Sequence, residues 1–222
     1  MATFYIIATP IGNLEDISRR ALRILAEVDL ILSEDTRTTK KLLDHYEIKT
    51  PTLSYHQHSK LKKVEYIIQL LREGKNLALV SDAGTPGISD PGNKLINTIL
   101  TSLNLIKIIP IPGSSAITAA ASISGFPMDK FLFLGFPPTK RKRKIFFEEV
   151  VDSKYPVIFY ESPHRILKTL TELNIINKNL SIVVCRELTK RFETVYRGNI
   201  GEVIEEIKKG EIKGEFVVVV GK

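Results

Sequence analysis

The sequence has 222 residues, 43% of them hydrophobic and 26% charged, with a formal net charge of +7. That length suits one large domain or two of about 100 residues each, and the composition excludes a disordered chain. A single cysteine, Cys185, excludes an internal disulfide framework and any Cys-cluster metal site, and fits a reducing, intracellular setting.

The opening run, Met1 to Pro10, has no basic leader and only a short β-branched apolar stretch, so it reads as a strand over Phe4–Ala8 and not as a signal peptide. Further strands are expected at Leu30–Ser33, Thr52–Tyr55, Leu77–Ser81 and Ile106–Ile111. Helical patterns separate them at Ile17–Glu27, Thr38–His45, Leu61–Arg72 and Gly92–Leu103. In the third of these, Val64, Ile67, Ile68 and Leu71 form one apolar face. Strands joined by crossover helices make a mostly parallel sheet.

A helix over Ser115–Ser124 leads to a second set. Its strands are expected at Phe131–Phe136, Val157–Tyr160, Ser181–Cys185, Thr194–Arg197 and Glu215–Val220, and its helices at Lys140–Asp152, Arg165–Leu173 and Glu202–Lys209. The reading is α/β: two αβα domains, residues 1–113 with a mostly parallel sheet and residues 114–222 with a mixed one, with a ligand cleft between them. No apolar run approaches the roughly 20 residues of a membrane helix, so a cytoplasmic protein is expected. Cys185 falls in an apolar strand and reads as a packing residue.

In open α/β sheets, ligands sit at loops beyond the carboxyl ends of strands. Here those loops are rich in Gly and Pro: Thr9-Pro10-Ile11-Gly12, Ser33-Glu34-Asp35-Thr36-Arg37, the long Ser81–Gly92 turn, and Pro110-Ile111-Pro112-Gly113-Ser114-Ser115. Any one of them could be an ordinary turn; four along one sheet edge point to a binding site. No GxGxxG follows the first strand. Gly87 to Gly92 has P-loop spacing, but Asn93-Lys94-Leu95 puts the lysine one position late and omits the hydroxyl. His56 and His58 lack a second ligand pair, so a solvated or RNA-facing pair is preferred over a metal site, and no metal is expected.

Several blocks in order along nearly the whole chain resemble one family. They are Ala8–Asp16, Ser33–Arg37, Ser81–Gly92, Pro110–Gly113, Phe131–Phe136, Phe159-Tyr160-Glu161-Ser162-Pro163-His164-Arg165, Arg186-Glu187-Leu188-Thr189-Lys190 and Lys213-Gly214-Glu215. The family is that of the ribosomal RNA small subunit methyltransferases I, within the tetrapyrrole methylase superfamily. The resemblance implies the two-domain tetrapyrrole methylase fold with the cofactor in the cleft, usually as a homodimer. It also implies S-adenosylmethionine as donor and 2′-O-methylation of a cytidine in the decoding region of 16S ribosomal RNA. Ser114 stands where that family commonly has Pro, and His56-Gln57-His58-Ser59 replaces a more acidic block. Fuller members continue into a C-terminal helical domain, whereas this sequence runs to Gly221-Lys222 after the last strand, so RNA affinity is the property expected to differ.

Carried over residue by residue, the resemblance places the donor against Pro10, Gly12, the Gly84-Thr85-Pro86-Gly87-Ile88-Ser89 turn and Ser114-Ser115-Ala116. Tyr160 and Gly214-Glu215-Phe216 would close the pocket, with Phe216 open to a plain core role. A ribose hydroxyl needs an acceptor for its proton or a cation beside the developing alkoxide. Candidates are Glu34, Asp35, Arg37, Glu161, Arg186 and Lys190. Asp35 could instead cap a helix, and Glu161 and Arg186 could pair structurally. Lys190 is favoured near the ribose, as a base if burial lowers its pKa. The run Lys140-Arg141-Lys142-Arg143-Lys144 is either a solvated helix start or a contact for RNA phosphates. Two rivals remain: a methylase acting on a tetrapyrrole, and a non-catalytic RNA-binding assembly factor.

Overall fold

The computed structural model describes residues 2–56, 59, 61–90 and 92–222. His58, one of the expected histidine pair, lies outside them. The chain divides into two compact units, Met1–Ser115 and Ala116–Lys222.

In the first unit, strands β1 (Thr3–Ile7), β2 (Leu30–Ser33), β3 (Thr52–Ser54), β4 (Leu77–Val80) and β5 (Lys107–Ile111) form one sheet in the order β3-β2-β4-β1-β5. Every pairing is parallel, so all five strands end at the same edge. All four residues of β4 are buried, as expected of a central parallel strand covered on both faces. Helices α1 (Arg19–Glu27), α2 (Thr36–His45), α3 (Leu61–Arg72) and α4 (Asn93–Ser102) supply the crossovers. The core is split by the sheet: Ile31 packs with Ala21, Leu25 and Leu43 on one side, Leu32 with Ile67, Leu71 and Leu95 on the other. Successive strand residues point to opposite faces, which produces this division.

Local chemistry sets the helix starts. Ser18 caps α1 by accepting from the Ala21 N–H at 3.1 Å, so the helix begins at Arg19, later than the apolar pattern alone suggests. Asn199 caps α8 (Ile200–Lys209) in the same way and starts it two residues earlier than expected.

The second unit opens with α5 (Ala116–Ile123) and holds β6 (Leu132–Phe133), β7 (Val157–Glu161), β8 (Ser181–Arg186), β9 (Thr194–Asn199) and β10 (Phe216–Val220) in the order β6-β7-β10-β8-β9. Strand β10 runs antiparallel to both neighbours. Helices α6 (Arg143–Asp152), α7 (Ile166–Ile176) and α8 pack over one core containing Phe147, Phe159, Leu170, Val203 and Val218. Two expectations are corrected here. The strand expected at Phe131–Phe136 is only two residues long, because Gly135 adopts φ +65° and Pro137 and Pro138 have no N–H to donate. The helix expected from Lys140 starts at Arg143, because Lys142 is left-handed at φ 65°.

Candidate active site

The order β4-β1-β5 places three Gly- and Pro-rich loops side by side, and hydrogen bonds join them. Thr9 and Gly84 bond in both directions, at 2.9 and 3.0 Å. The Thr9 hydroxyl donates to the Ser81 carbonyl, and the Ser81 hydroxyl donates back to the carbonyls of Ala83 and Gly84. The Thr85 hydroxyl donates to the Ser114 carbonyl at 3.3 Å, and the Ser114 hydroxyl to the Asp16 carbonyl at 3.2 Å. Gly84 has φ +78°, a left-handed conformation that favours glycine, and a Cβ there would press on the Ile11 side chain at 3.3 Å and touch the Ser114 carbonyl at 3.7 Å. Pro10, the Gly84–Ser89 turn and Ser114 thus belong to one assembly. Gly84, Pro86 and Gly87 are buried within it, while Gly12, Ile88 and Ser89 are exposed.

Beside it, the β2 loop brings carboxylates together. Asp35 caps α2, accepting from the Arg37 N–H at 2.8 Å, and also binds the Arg37 guanidinium at 2.7 Å; these bonds hold its carboxyl down at about 2. Arg37 is 88% exposed at its side chain. The Asp35 N–H donates to Asp82 at 3.0 Å. Burial, and then the charge of Asp82, raise the Glu34 carboxyl, with His56 pulling against them. Burial, followed by the charge of Glu34, pushes Asp90 up to about 6 despite its bond with the Ser81 hydroxyl. Asp82 and Asp90 were not selected from the sequence; their place in the Ser81–Gly92 turn was visible, but their proximity to Glu34 comes from the β2–β4 pairing. Among the described residues, no group of three His, Cys, Asp or Glu side chains could hold a metal ion.

In the second unit, the antiparallel insertion of β10 does the gathering. Phe216 lies opposite Glu161 of β7 and Arg186 of β8, so the start of β10 meets the ends of both neighbours. The Glu187 N–H donates to the Glu215 carbonyl, and the Glu215 N–H to the Glu187 carboxylate, both at 2.9 Å. Lys190 binds Glu187 at 2.9 Å and Glu215 at 3.0 Å. Burial pulls the Lys190 ammonium down, but the two carboxylates outweigh it and hold the lysine above its ordinary value. The expected lowering is therefore corrected: Lys190 is a retained cation and not a neutral base. The turn carrying it is strained, with Glu187 at φ 53° and Thr189 at φ 67°.

The suggested Glu161–Arg186 pair is not formed. Glu161 is buried and accepts from Arg165 and from the Ser162 N–H, both at 2.7 Å, and from Thr169 at 2.6 Å. Arg186 donates to the Lys213 carbonyl at 2.7 Å and approaches Glu211 only at 4.0 Å. Phe216 is buried in the core, as its plain reading required. Tyr160 packs against the rings of Phe133 and Phe136. Arg143 leaves the expected basic patch: it is 8% exposed and bound to Glu172 at 2.7 Å and to Thr169 at 2.6 Å.

Residues 3–204 match the tetrapyrrole (corrin/porphyrin) methylase family. The chain is 47% identical over 219 residues to a ribosomal RNA small subunit methyltransferase I from Halalkalibacterium halodurans, covering 98% of this chain and 75% of the relative. It is 43% identical to the protein of that name from Thermotoga maritima, covering 99% and 98% respectively. The chain belongs to the ribosomal RNA small subunit methyltransferase I family of tetrapyrrole methylases. The crystal structure of a cobalt precorrin-4 methyltransferase of cobalamin biosynthesis aligns at TM-score 0.72 with 17% identity, over 99% of this chain and 94% of that one. Diphthine synthase aligns at 0.70 with 14% identity, over 100% and 90%. These two likenesses share the fold of this family member and say nothing of its substrate.

Proposed function

We propose that the chain transfers a methyl group from S-adenosylmethionine to the 2′-hydroxyl of a cytidine in the decoding region of 16S ribosomal RNA, as a cytoplasmic homodimer. The observation that carries this reading is the 43% identity to a relative named for that ribosomal RNA over 98% of the relative's length. The joined β1, β4 and β5 loops support it. The left-handed turn at Gly84 and the bonds donated by the hydroxyls of Thr85 and Ser114 hold these loops in a fixed arrangement, which suits a preformed surface for a ligand with an adenosine and an amino-acid end.

The donor supplies an electrophilic methyl on a sulfonium. The chain's part is to bind and orient it, exclude water, and manage the ribose proton. Pro10, Gly12, the Gly84–Ser89 turn and Ser114-Ser115-Ala116 are the proposed cradle, and Tyr160 and Gly214-Glu215 are proposed as further contacts to the donor. Lys190, kept charged by Glu187 and Glu215, can stabilise negative charge developing on an oxygen. Asp90 has a pKa of about 6, ionised at neutral pH yet basic enough to accept a proton, and Glu34 shares its environment. Glu161 and Arg186 have their hydrogen bonds committed within the fold and act as positioning groups.

The test is transfer of labelled methyl to unmethylated small ribosomal subunits and to free ribosomal RNA, followed by mapping of the nucleotide. Label on a ribose of the small-subunit RNA is expected. Donor binding with no label on any RNA would overturn the RNA reading. Lys190→Ala is expected to abolish transfer while donor affinity stays at its wild-type value.

A further inference from the structure

We propose that Phe136 is a stacking platform for an unpaired RNA base, carried on a loop that two arginines hold in place. This rests on the RNA reading above and assigns to it a base contact outside the donor loops. Phe136 follows β6 and is 52% exposed. Its ring lies 5.3 Å from that of Tyr160, which in turn meets Phe133 at 5.0 Å. Three rings thus form a ladder whose outermost member is open to water.

Charge complementarity names the occupant. Lys140, Arg141 and Lys142 follow within a few residues and are exposed. The neighbouring cations are engaged, Arg143 with Glu172 at 2.7 Å and Lys144 with Glu148 at 3.6 Å, but these three form no ion pair among the described residues. An open aromatic face beside uncompensated cations is the combination that single-stranded nucleic acid requires, the ring for a base and the charge for its phosphates. Duplex RNA would have no splayed base to offer.

The loop between ring and cations is pinned. Arg165 donates to the Pro137 carbonyl at 2.9 Å and Arg143 to the Pro138 carbonyl at 3.1 Å. Both guanidiniums are fixed from behind, Arg165 by buried Glu161 and Arg143 by Thr169 and Glu172. The proline rings limit the remaining backbone freedom. Arg143 and Arg165 are therefore positioning residues, and the base that stacks on Phe136 meets a ring already oriented.

The chain contains no tryptophan, so Phe136→Trp introduces a single reporter at the ring itself. Its emission is expected to be quenched by a single-stranded RNA oligonucleotide and left unchanged by inorganic polyphosphate. Phe136→Ala is expected to bind that RNA roughly 5- to 150-fold more weakly, the range of one lost base–aromatic stack. It should raise KM for RNA while leaving S-adenosylmethionine affinity and the circular dichroism melt unaltered. Arg165→Met should weaken RNA binding without further loss in the double variant with Phe136→Ala. Binding of RNA to Phe136→Trp with unchanged emission, together with wild-type affinity in Phe136→Ala, would overturn the proposal. Failure of the wild-type chain to bind any RNA would instead remove the RNA reading, and the stacking proposal with it.

Discussion

Substituting Gly214 by Ala should destabilise the second unit and disturb the turn that carries Lys190. Gly214 has φ +90°, and a Cβ there would run into the Glu187 carboxyl group. The left-handed backbone alone costs a non-glycine residue about 1–2 kcal/mol. The Glu187 side chain must also swing away, surrendering its bonds to the Glu215 N–H and to Lys190, each 2.9 Å long. Charge-assisted bonds contribute about 1.5–3 kcal/mol when buried. These groups are partly exposed, so solvent screening brings the two together to roughly 1–2 kcal/mol. The expected total is about 2–4 kcal/mol, or a fall in Tm of about 5–15 °C for a chain of this size. Gly125→Ala supplies the control, since Gly125 has φ +78° with nothing within 4 Å of its Cβ position. It isolates the backbone strain in the same unit. Denaturant titration of both variants gives the difference. Equal losses would refute the collision with Glu187, and wild-type methyl transfer by Gly214→Ala would refute the need for Glu187 beside Lys190.

Asp90→Asn should raise stability at pH 7.5. The folded-state pKa of Asp90 is raised from 3.8 to about 6, so the folded state takes up protons more readily and the ionised group is a cost above pH 6. The gain over wild type should shrink as pH falls through 6 and vanish below about 4, and a pH-independent gain in thermal melts would contradict this sign. Replacing Lys140, Arg141 and Lys142 together by Gln should lower the slope of log affinity against log salt by roughly 2 for single-stranded RNA, and an unchanged slope would remove them from the interface. Phe159→Ala should cost about 3–5 kcal/mol, because that ring is fully buried against Phe146; a loss below 1 kcal/mol in denaturant titration would show that the core had collapsed onto the cavity.

Much of the fold can be read along the chain. The Leu61–Arg72 helix follows from an apolar repeat that only a helix turns to one side. The buried run Leu77–Val80 follows from continuous apolar character. The loops that form the proposed cradle were visible as Gly- and Pro-rich punctuation, and the helix cap at Asp35 as a side chain suited to an exposed N–H. These are local properties, set by side-chain chemistry within a few residues of one another.

Partnerships were not visible in this way. Lys190 looked like a lysine that burial would discharge, yet β10 enters antiparallel between β7 and β8 and brings Glu215 beside Glu187, so the lysine keeps its proton. Arg143 looked like one cation among five, yet the left-handed turn at Lys142 directs it inward to Glu172 and Thr169. Glu161 found Arg165 and Thr169 on the next helix and not Arg186. Asp90 is raised first by its burial and then by Glu34, which lies far away in sequence and reaches it because β2 and β4 are paired. The sequence alone determined the elements, their alternation and the family. Strand order decided which charges face each other, because Coulomb interactions and desolvation depend on distances in space that sequence separation does not encode.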